Sequence, residues 1–237
     1  MNEAGTRRLA HEYRSRSLYR VCGGTLIAAG ALFSLSLLAG GGVLPMTMPA
    51  LRAASTGMRV ALLWLCAPAP ALAAGGLLAI ARHYRGTSKE GWVLLAFATV
   101  AIGGALLTLT MALGAVGGPG LVDAAQGDGA VVRPLLLPLA LVSRSASRMG
   151  GTLFWLGLLP LAVALTHDRL WPRVTAWGAP LVALAEAPAA PLLAAYPGAL
   201  VTLRLVGYAY LALLGFSALG MVKMMRAAAA EAARSED

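Results

Sequence analysis

One acidic residue of this chain falls deep within an apolar stretch. Glu186 lies about 13 residues beyond Arg173, which is about 20 Å along a helix that rises 1.5 Å per residue. A hydrocarbon core is about 30 Å thick, so the carboxyl is expected close to its middle or just past it. A charged side chain at that depth costs at least about 2.5–3.5 kcal/mol. We therefore expect Glu186 to face the interior of a helix bundle and to have a partner there.

Two prolines follow this carboxyl closely. Pro188 cannot donate to the carbonyl of Leu184, and Pro191 likewise leaves the carbonyl of Ala187 without its helical donor. The spacing predicts a carboxyl among open carbonyl oxygens, which suits a cation or a proton relay. The alternative is a neutral Glu186 that is hydrogen-bonded across a helix interface for packing alone, because burial favours the uncharged form of a carboxyl.

Arginines supply the expected partner. Arg204 lies near the outer end of the next apolar stretch, a short turn away, and is the first candidate. Arg144 and Arg148 are the alternatives, and their spacing places them on one face of a helix. With the serines around them, these two arginines predict either a small anion or headgroup pocket at the outer surface, or side chains that extend to lipid phosphates.

Other chemistry is not indicated by the residues present. His83, His167 and Asp168 have no paired metal-ligand spacing, and no apolar stretch contains the histidines that a b-type haem would need. The chain has no phosphate-binding loop and no GxSxG motif. We predict no catalytic residue, no metal and no cofactor. Cys22 and Cys66 are expected to be small buried apolar residues.

The elements that must position Glu186 follow from composition. The 237 residues are 59% hydrophobic and 12% charged, whereas soluble domains are about 25% charged. Six apolar stretches are long enough to cross a bilayer: about 18–44, 58–81, 91–116, 149–166, 174–195 and 200–222. Hydrocarbon offers no partner for open backbone groups, so the predicted fold is all-α, a polytopic transmembrane bundle of about six helices.

We divide the chain into a basic segment (1–17), the transmembrane domain (18–222) and a basic tail (223–237) whose helix frays after a turn or two. The Gly- and Asp-rich residues 117–133 are predicted to form a loop. The segment 134–148 is either an outer extension of the fourth helix or a separate interfacial helix.

The six spans also divide into two sets of three. The middle helix of each set contains prolines, Pro68 and Pro70 in the second span and Pro180, Pro188 and Pro191 in the fifth. Helices interrupted at matching positions in two halves point to a binding site at the membrane midplane. Chance recurrence of similar strings in an Ala-rich chain is the alternative.

Charge predicts the orientation. The net charge is +9, and a cytoplasmic N-terminus places 13 of the 19 Lys and Arg inside, as the positive-inside rule requires. We predict a multi-pass protein of a bacterial inner membrane with both termini cytoplasmic. Its expected partners are the bilayer and anionic headgroups at the cytoplasmic face, and not nucleic acid. Tyr19, Tyr84, Trp92 and Trp171 are predicted to form an aromatic belt at the inner interface.

A resemblance supports the same architecture. Residues 151–185 contain the step Leu170-Trp171-Pro172-Arg173 followed by Trp177-Gly178, and the first span opens with Arg-Val-Cys-Gly-Gly. These features resemble the bacterial integral-membrane family filed as domain of unknown function 4386. That family has a six-helix fold of unassigned activity, so the resemblance implies architecture and no residue roles.

Three functions fit these features. The first is a non-enzymatic membrane protein that acts in packing, lipid binding or as an accessory component. The second is a small proton- or cation-coupled transporter that uses Glu186 and the proline-broken second and fifth helices. An intramembrane or lipid-modifying enzyme is the third, and convergence of His83, His167 and Asp168 would favour it.

Overall fold

The computed structural model describes residues 3–38, 56–127, 129–168, 171–189 and 197–234. Within these ranges the chain is helical apart from short turns and contains no strand, which confirms the all-α prediction. The helices are α1 (Glu3–Leu38), α2 (Thr56–Cys66), α3 (Ala69–His83), α4 (Glu90–Gly127), α5 (Gly129–Leu156), α6 (Leu158–Thr166), α7 (Arg173–Glu186) and α8 (Pro197–Arg234).

The helices form six rods, because α2 continues into α3 through a turn at Ala67–Pro68 and α5 continues into α6 through Gly157. Among the described residues, five stretches are long and apolar enough to cross a membrane: Ser15–Leu37, Val60–His83, Glu90–Leu113, Leu141–Thr166 and Ala199–Ala227. These five helices are those of a multi-pass membrane protein. The predicted fifth span is represented by the 14 residues of α7, and the rest of that prediction, from 190 to 195, falls outside the described residues.

The first and last rods run antiparallel and in close contact. A Cβ added to Gly30 would lie 2.7 Å from the carbonyl oxygen of Tyr208, and one added to Gly215 would lie 2.7 Å from the carbonyl oxygen of Gly23. Small residues at these positions let the two backbones approach closely. Arg16 then donates to the carbonyl of Met225 at 3.3 Å. We call the end of the bundle that holds Arg16 and Met225 the basal end, and the opposite end the distal end.

The predicted loop at 117–133 is wrong. The backbone stays helical through Gly127 and is helical again from Gly129, while residue 128 falls outside the described residues. α4 and α5 pack against each other, and tertiary packing of this kind can override the weak helix propensity of a glycine-rich stretch. The segment 134–148 is accordingly part of α5, as an extension of the fourth span.

The described residues nearest to both ends of the chain are also helical. α1 begins at Glu3 and runs without a break into the first span, and α8 continues to Arg234. The basic segment before the first span and much of the basic tail after the last are therefore continuous with the rods that they flank.

Candidate functional site

The carboxyl of Glu186 and the guanidinium of Arg204 meet inside the bundle. Glu186 is the last residue of α7 and is fully buried, and Arg204 on α8 is 9% exposed. Arg204 Nη1 lies 3.0 Å from Glu186 Oε2. The structure thus brings together the carboxyl and the arginine that we expected to be its first partner.

Two glycines make room for this ion pair. A Cβ added to Gly207 on α8 would lie 2.5 Å from Glu186 Oε1 and 2.6 Å from the indole ring of Trp155. A Cβ added to Gly151 on α5 would lie 3.2 Å from Arg204 Nη2. Both charged groups therefore occupy volume that any larger residue at these two positions would fill.

Aromatic rings border the ion pair on the side of α1 and α5. The rings of Phe33 and Tyr208 stack with centroids 4.9 Å apart, and Trp155 lies 5.9 Å from Tyr208. Phe33 and Trp155 are each 1% exposed. This wall keeps water away from the charges, which strengthens their attraction and raises the cost of leaving either one alone.

The carboxylate nevertheless has unused hydrogen-bonding capacity. Within the described part of the chain, neither Oε1 nor Oε2 of Glu186 meets strict hydrogen-bond geometry with Arg204, whose approach satisfies only the distance of an ion pair, while the backbone N–H of Gly207 comes close to the carboxylate. An ionised carboxylate offers about four acceptor sites. Glu186 therefore keeps acceptor capacity for a proton or a further donor.

The helix break beside Glu186 differs from our expectation in one respect. α7 ends at Glu186, and Pro188 follows it in an exposed turn. The carbonyl of Ala187, which we expected to be open, instead accepts a hydrogen bond from Thr152 Oγ1 of α5 at 2.9 Å. A carbonyl set for a cation is thus not assembled at Ala187, and Pro191 falls outside the described residues.

The break in the second rod has different neighbours. Pro68 is exposed and Pro70 is buried, where it faces Gly104 on α4. The carbonyl of Ala67 at this break accepts a hydrogen bond from Thr108 Oγ1 of α4 at 3.4 Å. The packing around the two breaks therefore involves α4 in one case and α5 and α8 in the other, and it gives no support to a single site lined by both.

Arg144 and Arg148 occupy a different position from Arg204. Both lie on α5 and are exposed. Among the described residues the ion-pair partner of Glu186 is Arg204, so the alternative pairing with Arg144 or Arg148 is wrong. These two arginines lie outside the buried site.

A second polar cluster lies at the basal end, and sequence reasoning missed it. Tyr84 OH donates to the carboxylate of Asp168 and accepts from Trp171 Nε1–H at 3.1 Å. Lys89 Nζ lies 3.3 Å from Asp168 Oδ2 and donates to the carbonyl of His167 at 3.1 Å. Burial, with the hydrogen bond to Asp168, raises the pKa of Tyr84. The cluster ties the loop after α3 to the loop after α6.

This cluster overturns most of the predicted aromatic belt. Tyr19, Tyr84 and Trp171 are buried to within 4% exposure, and of the four belt residues only Trp92 is well exposed, at 47%. The three buried rings pack against the bundle because they contact one another through polar atoms or ring edges. The rings of Tyr19 and Trp171, for example, meet edge to face with centroids 6.1 Å apart. The sequence did contain a signal for this cluster: Tyr, Lys, Asp and Trp occur in two loops that are predicted to lie on the same side of the membrane.

The remaining candidates are placed as follows. His83 packs its ring 4.7 Å from that of Tyr19. Among the described residues, no three His, Cys, Asp or Glu side chains converge in a way that could hold a metal ion. Cys22 and Cys66 are buried and free, and their predicted burial is confirmed.

Comparison with protein-family models, with curated proteins and with solved structures finds no match to this chain.

Proposed function

We propose that this chain is a non-enzymatic membrane protein that acts as a packing, lipid-binding or accessory component, with the Glu186–Arg204 ion pair as a clamp between α7 and α8. The observation that carries this proposal is the buried pair itself, whose two charges lie 3.0 Å apart. The clamp neutralises a carboxylate and a guanidinium that would each be costly alone in an apolar interior.

The clamp is one of several polar contacts along the same helix pair. Tyr210 OH donates to the carbonyl of Thr175 at 2.7 Å, and the hydroxyls of Thr175 and Ser217 are 2.7 Å apart. The pair of Glu186 and Arg204 lies at the opposite end of α7. These polar contacts fix the register of a short helix whose other face exposes apolar side chains: Val174, Trp177, Leu181 and Leu184.

The proposal also includes the number of membrane crossings and the orientation of the protein. Five apolar helices, with the antiparallel packing of α1 on α8, support six crossings with both chain ends on one side. The basic residues near the basal end support a cytoplasmic basal face that meets anionic headgroups. The bacterial inner membrane and the resemblance to the six-helix family of unknown function remain predictions from the sequence.

A proton- or cation-coupled transporter is the second candidate, favoured by one observation. Both oxygens of Glu186 are buried, and in the described structure neither has a hydrogen bond of strict geometry, beside a helix that ends two residues before Pro188. A proton on Glu186 would cancel its attraction to Arg204 and loosen α7 from α8. The positive charge of Arg204 favours a proton over a metal cation as the coupling ion, because the cation would be repelled.

Proton flux in liposomes distinguishes the two candidates. The full chain is reconstituted with a pH-sensitive dye in the lumen, and a pH gradient is imposed across the membrane. A clamp gives no protein-dependent flux in either the unchanged chain or Glu186→Gln. A transporter gives flux that Glu186→Gln abolishes. Glu90→Gln is the matched control, because Glu90 is a carboxylate at the basal end of α4 that interacts with the amide of Gly86.

A further inference from the structure

Two arginines on the distal part of α5 form an exposed cationic pair. Arg144 and Arg148 are one turn apart, and both are exposed, as is Ser145 between them. The opposite face of the helix carries the buried Ala146 and Gly150, which pack toward α4. The cationic pair therefore points away from α4.

The described structure assigns no partner to either guanidinium. Neither arginine takes part in the ion pairs of the described structure that join Arg204 with Glu186 and Lys89 with Asp168. Two uncompensated guanidinium groups one turn apart repel each other. An anion that bridges them would remove this repulsion.

The surroundings of the pair are apolar. Leu141, Val142 and Met149 are 56%, 55% and 60% exposed on the same part of α5. The pair also lies inside the apolar stretch Leu141–Thr166. Arg144 and Arg148 are three and seven residues from its start, or about 5 and 10 Å along the helix. That is the depth at which long basic side chains extend to the headgroup layer.

We infer that Arg144 and Arg148 bind the phosphate of one anionic phospholipid in the leaflet at the distal end. Guanidinium groups match the oxygens of a phosphate with paired hydrogen bonds. The acyl chains of the lipid then lie along Leu141, Val142 and Met149. An anionic lipid is preferred over a zwitterionic one, because the ammonium of a zwitterionic headgroup would be placed beside the second arginine. This site goes beyond the proposed function and does not depend on the role of Glu186.

Photo-crosslinking locates such a lipid directly. The full chain in detergent micelles is mixed with a photoreactive phosphatidylglycerol, or with the matching phosphatidylcholine, and labelled peptides are identified by mass spectrometry. We expect phosphatidylglycerol to label 141–149, and Arg144→Gln with Arg148→Gln to reduce that labelling about tenfold or more. The control with Arg82→Gln and Arg85→Gln, an exposed arginine pair at the end of α3, should keep it.

Three results would overturn the inference. The first is equal labelling of 141–149 by the two lipids, and the second is undiminished labelling in the double glutamine variant. The third is loss of labelling when excess inorganic phosphate is added, which would indicate an anion site without lipid preference. If the double variant melts at a lower temperature, the single variants replace it, and each is expected to lose part of the labelling.

Discussion

At the scale of single residues, this protein depends on how each buried polar atom is compensated. Glu186 has a charge partner and no hydrogen bond with good geometry in the described structure, while Tyr84 has both a donor and an acceptor. The burial of Glu186 and its partner could be predicted from the sequence, because charge in hydrocarbon is so costly. The Tyr84 cluster could not, because its residues are ordinary for an interfacial loop until the loops meet.

Removing the guanidinium of Arg204 should be strongly destabilising. Arg204→Met leaves the carboxylate of Glu186 buried without a counter-charge, and breaking such a pair costs about 3–5 kcal/mol. Unfolding of the purified chain by denaturing detergent measures the difference. Arg148→Met is the control on an exposed arginine, and we expect it to change the unfolding free energy little. Equal effects of the two substitutions would contradict a buried clamp.

Tyr84 should make stability depend on alkaline pH. Its pKa is raised by burial above the ordinary value near 10.0, so the folded chain holds its proton more tightly than the unfolded chain. The stabilisation is complete below about pH 10 and is lost as pH rises further, because the unfolded state then gains by ionising. The free energy of unfolding of the unchanged chain should fall more steeply above this pH than that of Tyr84→Phe. Parallel curves for the two proteins would contradict this account.

At the scale of elements, close helix packing decides where charge can be placed. α8 meets α1 through Gly215 and meets the ion pair through Gly207. The recurrence of small residues predicts such packing, but it cannot say which glycine faces which neighbour. The glycine-rich stretch at 117–133 shows the opposite error, since its composition predicted a loop and the structure continues the helices.

Adding one methyl group to Gly207 should open the α7–α8 interface. The new Cβ would lie 2.5 Å from Glu186 Oε1 and 2.6 Å from Trp155, and such overpacking costs about 1–3 kcal/mol. Gly220→Ala on the same helix meets nothing within 4 Å, and it should be neutral or stabilise by up to about 1 kcal/mol through helix propensity. Thermal unfolding of both variants measures the contrast. A neutral Gly207→Ala would show that the interface tolerates separation.

At the scale of the whole molecule, antiparallel packing of the first and last rods brings both chain ends to one side. Hydropathy predicts about six spans, and the described residues form six rods, of which five are long and apolar enough to cross a membrane. Activity could not be predicted with equal success, because a membrane bundle with short loops offers few residues whose types alone specify a reaction. The side of the membrane that each end of the bundle faces likewise remains a prediction from the distribution of charge.

Cysteine labelling from one side of sealed vesicles tests this arrangement. Single cysteines at Ser17 and Ala227 should react with a membrane-impermeant maleimide from the same side, and one at Ser145 from the other side. The native Cys22 and Cys66 are buried, so background labelling of these two cysteines should be low. Labelling of Ser17→Cys and Ala227→Cys from opposite sides would contradict an even number of crossings.

The central claim is that Glu186 and Arg204 stabilise the bundle as a mutually dependent pair. A double-mutant cycle with Glu186→Leu, Arg204→Met and both together measures that dependence directly, as unfolding free energies in one detergent. We predict that each single change is destabilising, and that the double variant is more stable than the sum of the two losses by about 1–3 kcal/mol. Additive losses, with no interaction between the two positions, would contradict the claim.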